Sequence, residues 1–133
     1  MERDGRSVKP ALIHGDLWEG NIGTSFDTGD ILIFDAGAYY AHNEMDIGMW
    51  RCARHRINSK VFFNEYLRNV GPSDPIDEWD DRNRLYCVKM NMVHSGHHKG
   101  DLVRQTAFDD MCFLVDKYAP WPSDHGVNVL AKI

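Results

Sequence analysis

The chain has little of what would place it in a membrane, in an oxidising compartment or on nucleic acid. Its apolar runs are short, Ile31-Leu32-Ile33-Phe34 among the longest, far below the roughly 20 residues of a membrane-spanning helix, so no membrane partner is expected. The opening MERDGRSVKP is charged and lacks the apolar core of a signal peptide. Cysteine is scarce: Cys52, Cys87 and Cys112 are odd in number and far apart. That pattern fits neither a disulfide framework nor paired zinc knuckles and points to a reducing, cytoplasmic setting. An excess of positive charge is missing too. The net charge of -5 argues against nucleic acid as a partner, because phosphate neutralisation needs a basic surface. The local basic clusters at 51–56 and 99–104 are expected to be solvated faces.

What remains is a chain of 133 residues, 43% hydrophobic, the size of one domain with a genuine core. It shows no internal repeat and no low-complexity tract. Residues 1–10 read as a polar tail or linker closed by Pro10, and 11–133 as the folded unit. ALIH reads as a short strand and GDLWEGN as a loop with glycine near each end. Asp27-Thr28-Gly29-Asp30 is turn-forming and separates strand candidates at 21–25 and 31–34.

From Glu44 onward the period becomes helical. Ile47, Trp50, Arg54 and Ile57 fall on one α-helical face. Ser59 can cap a helix through Asn69, and Asp77 can cap a long one over 78–95 that buries Leu85, Val88 and Met92. GHHKGD breaks that helix. A last one is predicted over 102–118, with Phe108, Cys112 and Val115 on one face and Pro120 and Pro122 stopping it. The expected fold class is therefore α+β and mostly helical: a short β-hairpin region followed by about four helices.

The polar residues of HGDLWEGN suggest chemistry. Asp16, on a loop after a strand, offers a carboxylate that can take a proton from an attacking hydroxyl. Asn21 offers an amide oxygen, a hard ligand suited to Mg²⁺. Asp35 ends the 31–34 strand, and pairing of the two strands would bring it beside Asn21. Two oxygen ligands facing one cation, with a free carboxylate nearby, suit a metal–nucleotide complex. The kinase catalytic loop, H-R-D-x-x-x-x-N followed by a strand ending in Asp, has the same order.

HGDLWEGN resembles the HGDLW-x-GN signature of the fructosamine and ketosamine kinase family, within the wider aminoglycoside phosphotransferase group. IFDAGAYYAHNEMDIGMWR and DEWDDRNRLYCVKMNMVHS resemble the blocks that follow in that family. The likeness spans about residues 11–118 and looks closest to fungal members. It implies a protein kinase-like C-terminal lobe that uses ATP and Mg²⁺ to phosphorylate a ketosamine, carried on a protein or a small molecule. Under that resemblance Asp16 is the catalytic base, and Asn21 and Asp35 hold Mg²⁺ and with it the nucleotide. His14 fixes the loop against the Asp35 strand. Asp46 hydrogen-bonds backbone amides of the HGD loop, and Trp18 packs on the substrate sugar. Two plainer readings stand beside these: Glu44 and Asp46 as acids at a helix N-terminus, and Trp18 as simple packing. Tyr39, Tyr40 and His42 are expected to shape the cleft wall, and His97-His98 to line the substrate side rather than bind zinc.

The sequence departs from the family pattern in two places. Ala36-Gly37 stands where the family often has proline after the metal Asp. The short polar segment before the first strand cannot supply the N-terminal lobe that grips the α- and β-phosphates, so the expectation is a C-terminal lobe with the N-terminal lobe absent. Three alternatives follow: a truncated, inactive lobe acting as a binding module, an aminoglycoside- or choline-type phosphotransferase, and a metal-dependent hydrolase built on His14, Asp16 and Asp35. The sequence carries no indication of oligomeric state.

Overall fold

The computed structural model describes residues 7–120. The first six residues of the polar tail, Pro122 and the end of the expected 11–133 unit lie outside that range. Four short strands come first. β1 (Ala11–Ile13) pairs antiparallel with β4 (Tyr39–Ala41), Ile13 opposite Tyr39. Between them, β2 (Ile22–Thr24) and β3 (Ile31–Ile33) form the expected hairpin, with Ile22 opposite Ile33. Its turn closes through Ser25 N to Asp30 O, 2.8 Å, and Gly29 N to Ser25 O, 2.9 Å, with Gly29 at φ 75°, a conformation glycine adopts without Cβ strain. Asn21 ends a single 3₁₀ turn (Glu19–Asn21) that leads into β2.

The helical part differs from the expected pattern at its start. The α-helical face through Ile47, Trp50, Arg54 and Ile57 is corrected to two 3₁₀ segments, Asn43–Arg51 and Arg56–Asn58, with extended backbone at Cys52 between them. The reason lies in periodicity. A 3₁₀-helix repeats every three residues, which aligns Glu44, Ile47 and Trp50, all buried. Gly48 then lies so close to Tyr86 that a Cβ there would come 2.5 Å from the Tyr86 Cβ.

α1 (Lys60–Asn69) starts where Ser59 caps it, accepting from Val61 N at 3.4 Å. α2 (Trp79–His97) is preceded by a 3₁₀ turn, Ile76–Glu78, so Asp77 lies before the helix and does not cap it. α3 (Asp101–Tyr118) follows Gly100. α2 is the central element, packed on α3 and on the 43–51 segment.

The core has two parts. Ile47, Trp50 and Ile57 gather Leu17, Ile22, Phe63, Tyr66 and Trp79 around them, while Met49, Cys52, Cys87 and Met90 pack beneath Trp18. Each fully buried aliphatic side chain contributes about 1.5–3 kcal/mol.

The inward face of α2 is more polar than its apolar period suggests. Val88 is buried as expected, but Leu85 and Met92 are 37% and 48% exposed, and Arg82, Asn83 and Asn91 turn inward instead. They are held by bonds: Arg82 Nε to Glu44 Oε2 at 2.7 Å, Asn83 Nδ2 to Ile47 O at 3.2 Å, and Arg54 Nη1 to Asn91 Oδ1 at 2.6 Å. On α3 the buried positions are Ala107 and Asp110, while Phe108 and Cys112 are half-buried and Val115 is exposed. Asp110 turns inward because it accepts from Arg84 Nη1 at 2.5 Å.

Candidate active site

The loop after β1 is fastened from both sides. The Asp46 carboxylate accepts from two successive amides, His14 N at 3.0 Å and Gly15 N at 2.9 Å. His14 Nε2 lies 3.0 Å from Phe34 O, tying the same loop to the end of β3. Gly15 has φ 80°, and a Cβ there would meet the Tyr39 ring at 2.7 Å. The turn thus requires glycine twice, for its left-handed backbone and for its close approach.

Asp16 follows and is bridged by Asn21, whose Nδ2 donates to Asp16 O and to Asp16 Oδ2, both at 2.9 Å. Asn21 is buried, and its Oδ1 is the acceptor left over from this arrangement. The Phe34 N to Asn21 O bond, 3.1 Å, continues the hairpin register and sets Asp35 one residue further on. Asp35 is exposed and has φ 57°, a left-handed conformation that Asp tolerates better than most side chains. The hairpin therefore brings Asp16, Asn21 and the Asp35 position to one edge, with His14 and Asp46 behind them.

The donor set, one amide oxygen and one exposed carboxylate, suits a hard cation that retains water and phosphate ligands. Among the described residues, no three His, Cys, Asp or Glu side chains gather to hold a metal by themselves. A cation at Asn21 and Asp35 would thus depend on substrate oxygens.

Beside Asp16 opens a cavity of about 710 Å³. One wall is the 15–19 loop, with Gly15, Asp16, Trp18 and Glu19; Tyr39 stands at one side, and Met49 and Met90 also line it. The other wall is basic: Arg54 and His55 after the first 3₁₀ segment, then Lys89, His94, His97 and His98 along the end of α2. The expectation that residues 51–56 form a solvated face is corrected here, since Arg54 and His55 line the cavity and Arg51 bonds Asp80 at 2.6 Å. Lys99 and Arg104 are exposed.

Of the aromatic block, only Tyr39 lines this cavity. Tyr40 is 74% exposed, and His42 is turned away into bonds with the Tyr86 hydroxyl, 2.7 Å, and the Ser73 hydroxyl, 2.8 Å.

Trp18 meets the His55 ring at 5.4 Å and covers the Met49–Met90 cluster. Below it, the free thiols of Cys52 and Cys87 stand 3.5 Å apart. The bond from Cys87 and the Arg54 charge hold Cys52 below the usual thiol range, while the same bond and burial push Cys87 up.

Burial favours raising Glu19, but the Arg56 amide at 2.9 Å, its own and the Ile57 amides and the His55 ring together outweigh it and hold the carboxyl low. His55 is held below its ordinary value by burial and by Arg54, against Glu19 and Asp16. Sequence reading missed Arg54, His55, Lys89 and His94 as cleft residues. The signal was present in the spacing: 90, 94 and 98, with 89 and 97 beside them, share one side of a helix.

A helical body bearing a strand–loop Asp, a following Asn and an acid-tipped hairpin is the architecture of a kinase-like C-terminal lobe. The family model described as fructosamine kinase matches residues 2–109, and the chain belongs to that family. It is similar to the chloroplastic protein-ribulosamine 3-kinase of Oryza sativa subsp. indica, 36% identical over 91 residues, which cover 68% of this chain and 25% of that protein. A probable ketoamine kinase of Synechocystis is 48% identical over 93 residues, 70% of this chain and 28% of the relative. The ketosamine-3-kinase of Mus musculus is 40% identical over 90 residues, 68% and 27% respectively. The chain thus aligns with about a quarter of the length of these curated relatives. No helix among the described residues is long and apolar enough to cross a membrane.

Proposed function

We propose that this chain is the C-terminal lobe, residues 11–133, of an ATP-dependent kinase that phosphorylates a sugar hydroxyl of a ketosamine. The observation that carries the reading is the Asp16–Asn21 bridge. Asn21 Nδ2 occupies Asp16 Oδ2 and leaves Oδ1 to receive a proton at the cleft. The acceptor hydroxyl gives its proton to Asp16, its oxygen forms the new bond to the γ-phosphorus, and ADP leaves with the electrons of the broken bond.

Asn21 and Asp35 would hold Mg²⁺, which when bound neutralises charge on the nucleotide phosphates. His14 and Asp46 keep the base-bearing loop in register, and Trp18 offers a flat face for the sugar. The ketosamine is carried by a protein lysine or a small amine; the relatives' names, protein-ribulosamine 3-kinase and ketosamine-3-kinase, support the ketosamine class. The free thiols of Cys52, Cys87 and Cys112 suit a cytoplasmic setting.

The test is phosphoryl transfer from ATP with Mg²⁺ to a fructosylated lysine peptide, read by mass spectrometry. Asp16→Asn should lower turnover by about 10²–10⁴-fold. Full turnover in that variant would remove Asp16 as the base. Peptide binding without transfer in the unaltered chain would instead assign a binding module.

A further inference from the structure

We propose that the acceptor taken by this cleft carries an anionic group, a carboxylate or a phosphate, that seats between Arg54 and Lys89 across from Asp16. The inference rests on the acceptor reading above and narrows it to a substrate class.

Most buried or half-buried cations of the lobe have an acid partner. Arg51 pairs with Asp80, Arg82 with Glu44, and Arg84 with Asp110. Half-buried Arg54 differs, and the exposed Lys89 shares the cavity wall with it. Among the described residues neither forms an ion pair with a carboxylate. Each is instead oriented by a neutral group. The Asn91 amide oxygen accepts from Arg54 Nη1 at 2.6 Å, and the Tyr39 hydroxyl accepts from Lys89 Nζ at 2.8 Å. Asn91 is itself buried, and Tyr39 is pressed against Gly15. Both cations are thus placed by fixed neutral partners on the wall of one cavity. A charge left uncompensated but well oriented can make a charge-assisted hydrogen bond to a ligand oxygen.

The two acids of the cavity do not meet this need. Asp16 is bonded to Asn21, and Glu19 is taken by the Arg56 amide, with His55 Nδ1 3.4 Å away. His94 reports the same field rather than adding to it: burial lowers its proton affinity first, and repulsion from Arg54, His98, His55 and His97 lowers it further. An anion bound among these groups would relieve that repulsion. The nucleotide is a poor candidate for it, because neither Asn21 nor Asp35 lines this cavity.

The experiment is an NMR titration of the isotope-labelled chain with three probes: the fructosamine of glycine, the fructosamine of methylamine, and inorganic phosphate. The glycine adduct, which carries a carboxylate, should bind about tenfold tighter than the methylamine adduct, as one added charge-assisted contact predicts. Phosphate should move the same signals as the carboxylate. Lys89→Gln, at an exposed position, and Arg54→Gln should each shrink the preference to about twofold.

Equal affinity for the two fructosamines would overturn the anion site and leave the acceptor reading in place. A preference that survives both substitutions would also overturn it. Phosphate binding with neither fructosamine bound would overturn the acceptor reading and this inference with it. A phosphorylated ketosamine in place of the glycine adduct tells a phosphate-bearing acceptor from a carboxylate-bearing one by which binds tighter.

Discussion

The two strand pairs of this lobe are equal in length and opposite in how they are held. β1–β4 lies against the 43–51 segment, buries Ile13, and carries a loop whose successive amides are both taken by Asp46. β2–β3 is exposed along Ile31, Leu32 and Ile33, at 74%, 50% and 58%. It is tied back chiefly at Asn21, through the Asn21–Asp16 bridge, and at Phe34, through the His14 ring. The carboxylate proposed as the base therefore sits in a frame set by the folded body. The carboxylate proposed for the metal sits at the end of a short exposed hairpin, aimed by one left-handed residue. Acceptor activation needs fixed geometry, whereas a cation can draw its remaining ligands from the substrate.

The frame should break most severely at Glu44. This carboxylate is fully buried and accepts from Arg82 Nε at 2.7 Å, Arg82 Nη2 at 3.0 Å and Ser73 N at 2.7 Å. Glu44→Gln leaves Arg82 without its counter-charge and should cost about 3–5 kcal/mol in urea unfolding, as breaking a buried pair does.

Acid should act on the same place. Burial raises Glu44, but the bonds from Arg82 and Ser73 outweigh it and hold the group below its ordinary 4.5. Its stabilisation is complete above that value and is lost as pH falls through the lowered one. Burial also holds His42 below 6.5, so weakening should begin as pH falls below about that value and deepen below 4.5. A flat stability profile from pH 7 to 4 would contradict this.

A smaller break separates the two strand pairs directly. Asp46→Ala removes the acceptor for two amides and should cost about 3 kcal/mol, the low end for two bonds to a charged group. Amide exchange at His14 and Gly15 should accelerate more than at Gly23 and Leu32. On the hairpin, Leu32→Ser should change stability by about 0.5 kcal/mol or less, because the side chain is half-exposed. Equal losses from the two substitutions would erase the distinction between frame and hairpin.

The parts legible in the sequence are those whose partners are close along the chain. The 27–30 turn fixes the hairpin register, and that register sets Asp35 next to the residue opposite Asn21. Ser59 announced α1 by its own hydroxyl. β4 was missed because its partner is the distant β1, and Tyr39-Tyr40 read as cleft aromatics rather than as a strand. The 43–51 segment was misread as α-helix because its inward row begins with a charged residue, Glu44, whose partner Arg82 is far along the chain. The inward face of α2 eluded an apolar search for the same reason: Asn83 and Asn91 are buried through bonds that only the packed fold supplies. The basic cavity wall is likewise a product of where α2 comes to rest.

The division into a metal side and an acceptor side is tested most directly by adding Mn²⁺ with ATP to the isotope-labelled chain and following amide line broadening. The account predicts broadening centred on Asn21, Phe34 and Asp35 and abolished by Asp35→Ala, with His94, His97 and His98 least affected. Broadening centred on the histidine wall, or surviving Asp35→Ala, would contradict it.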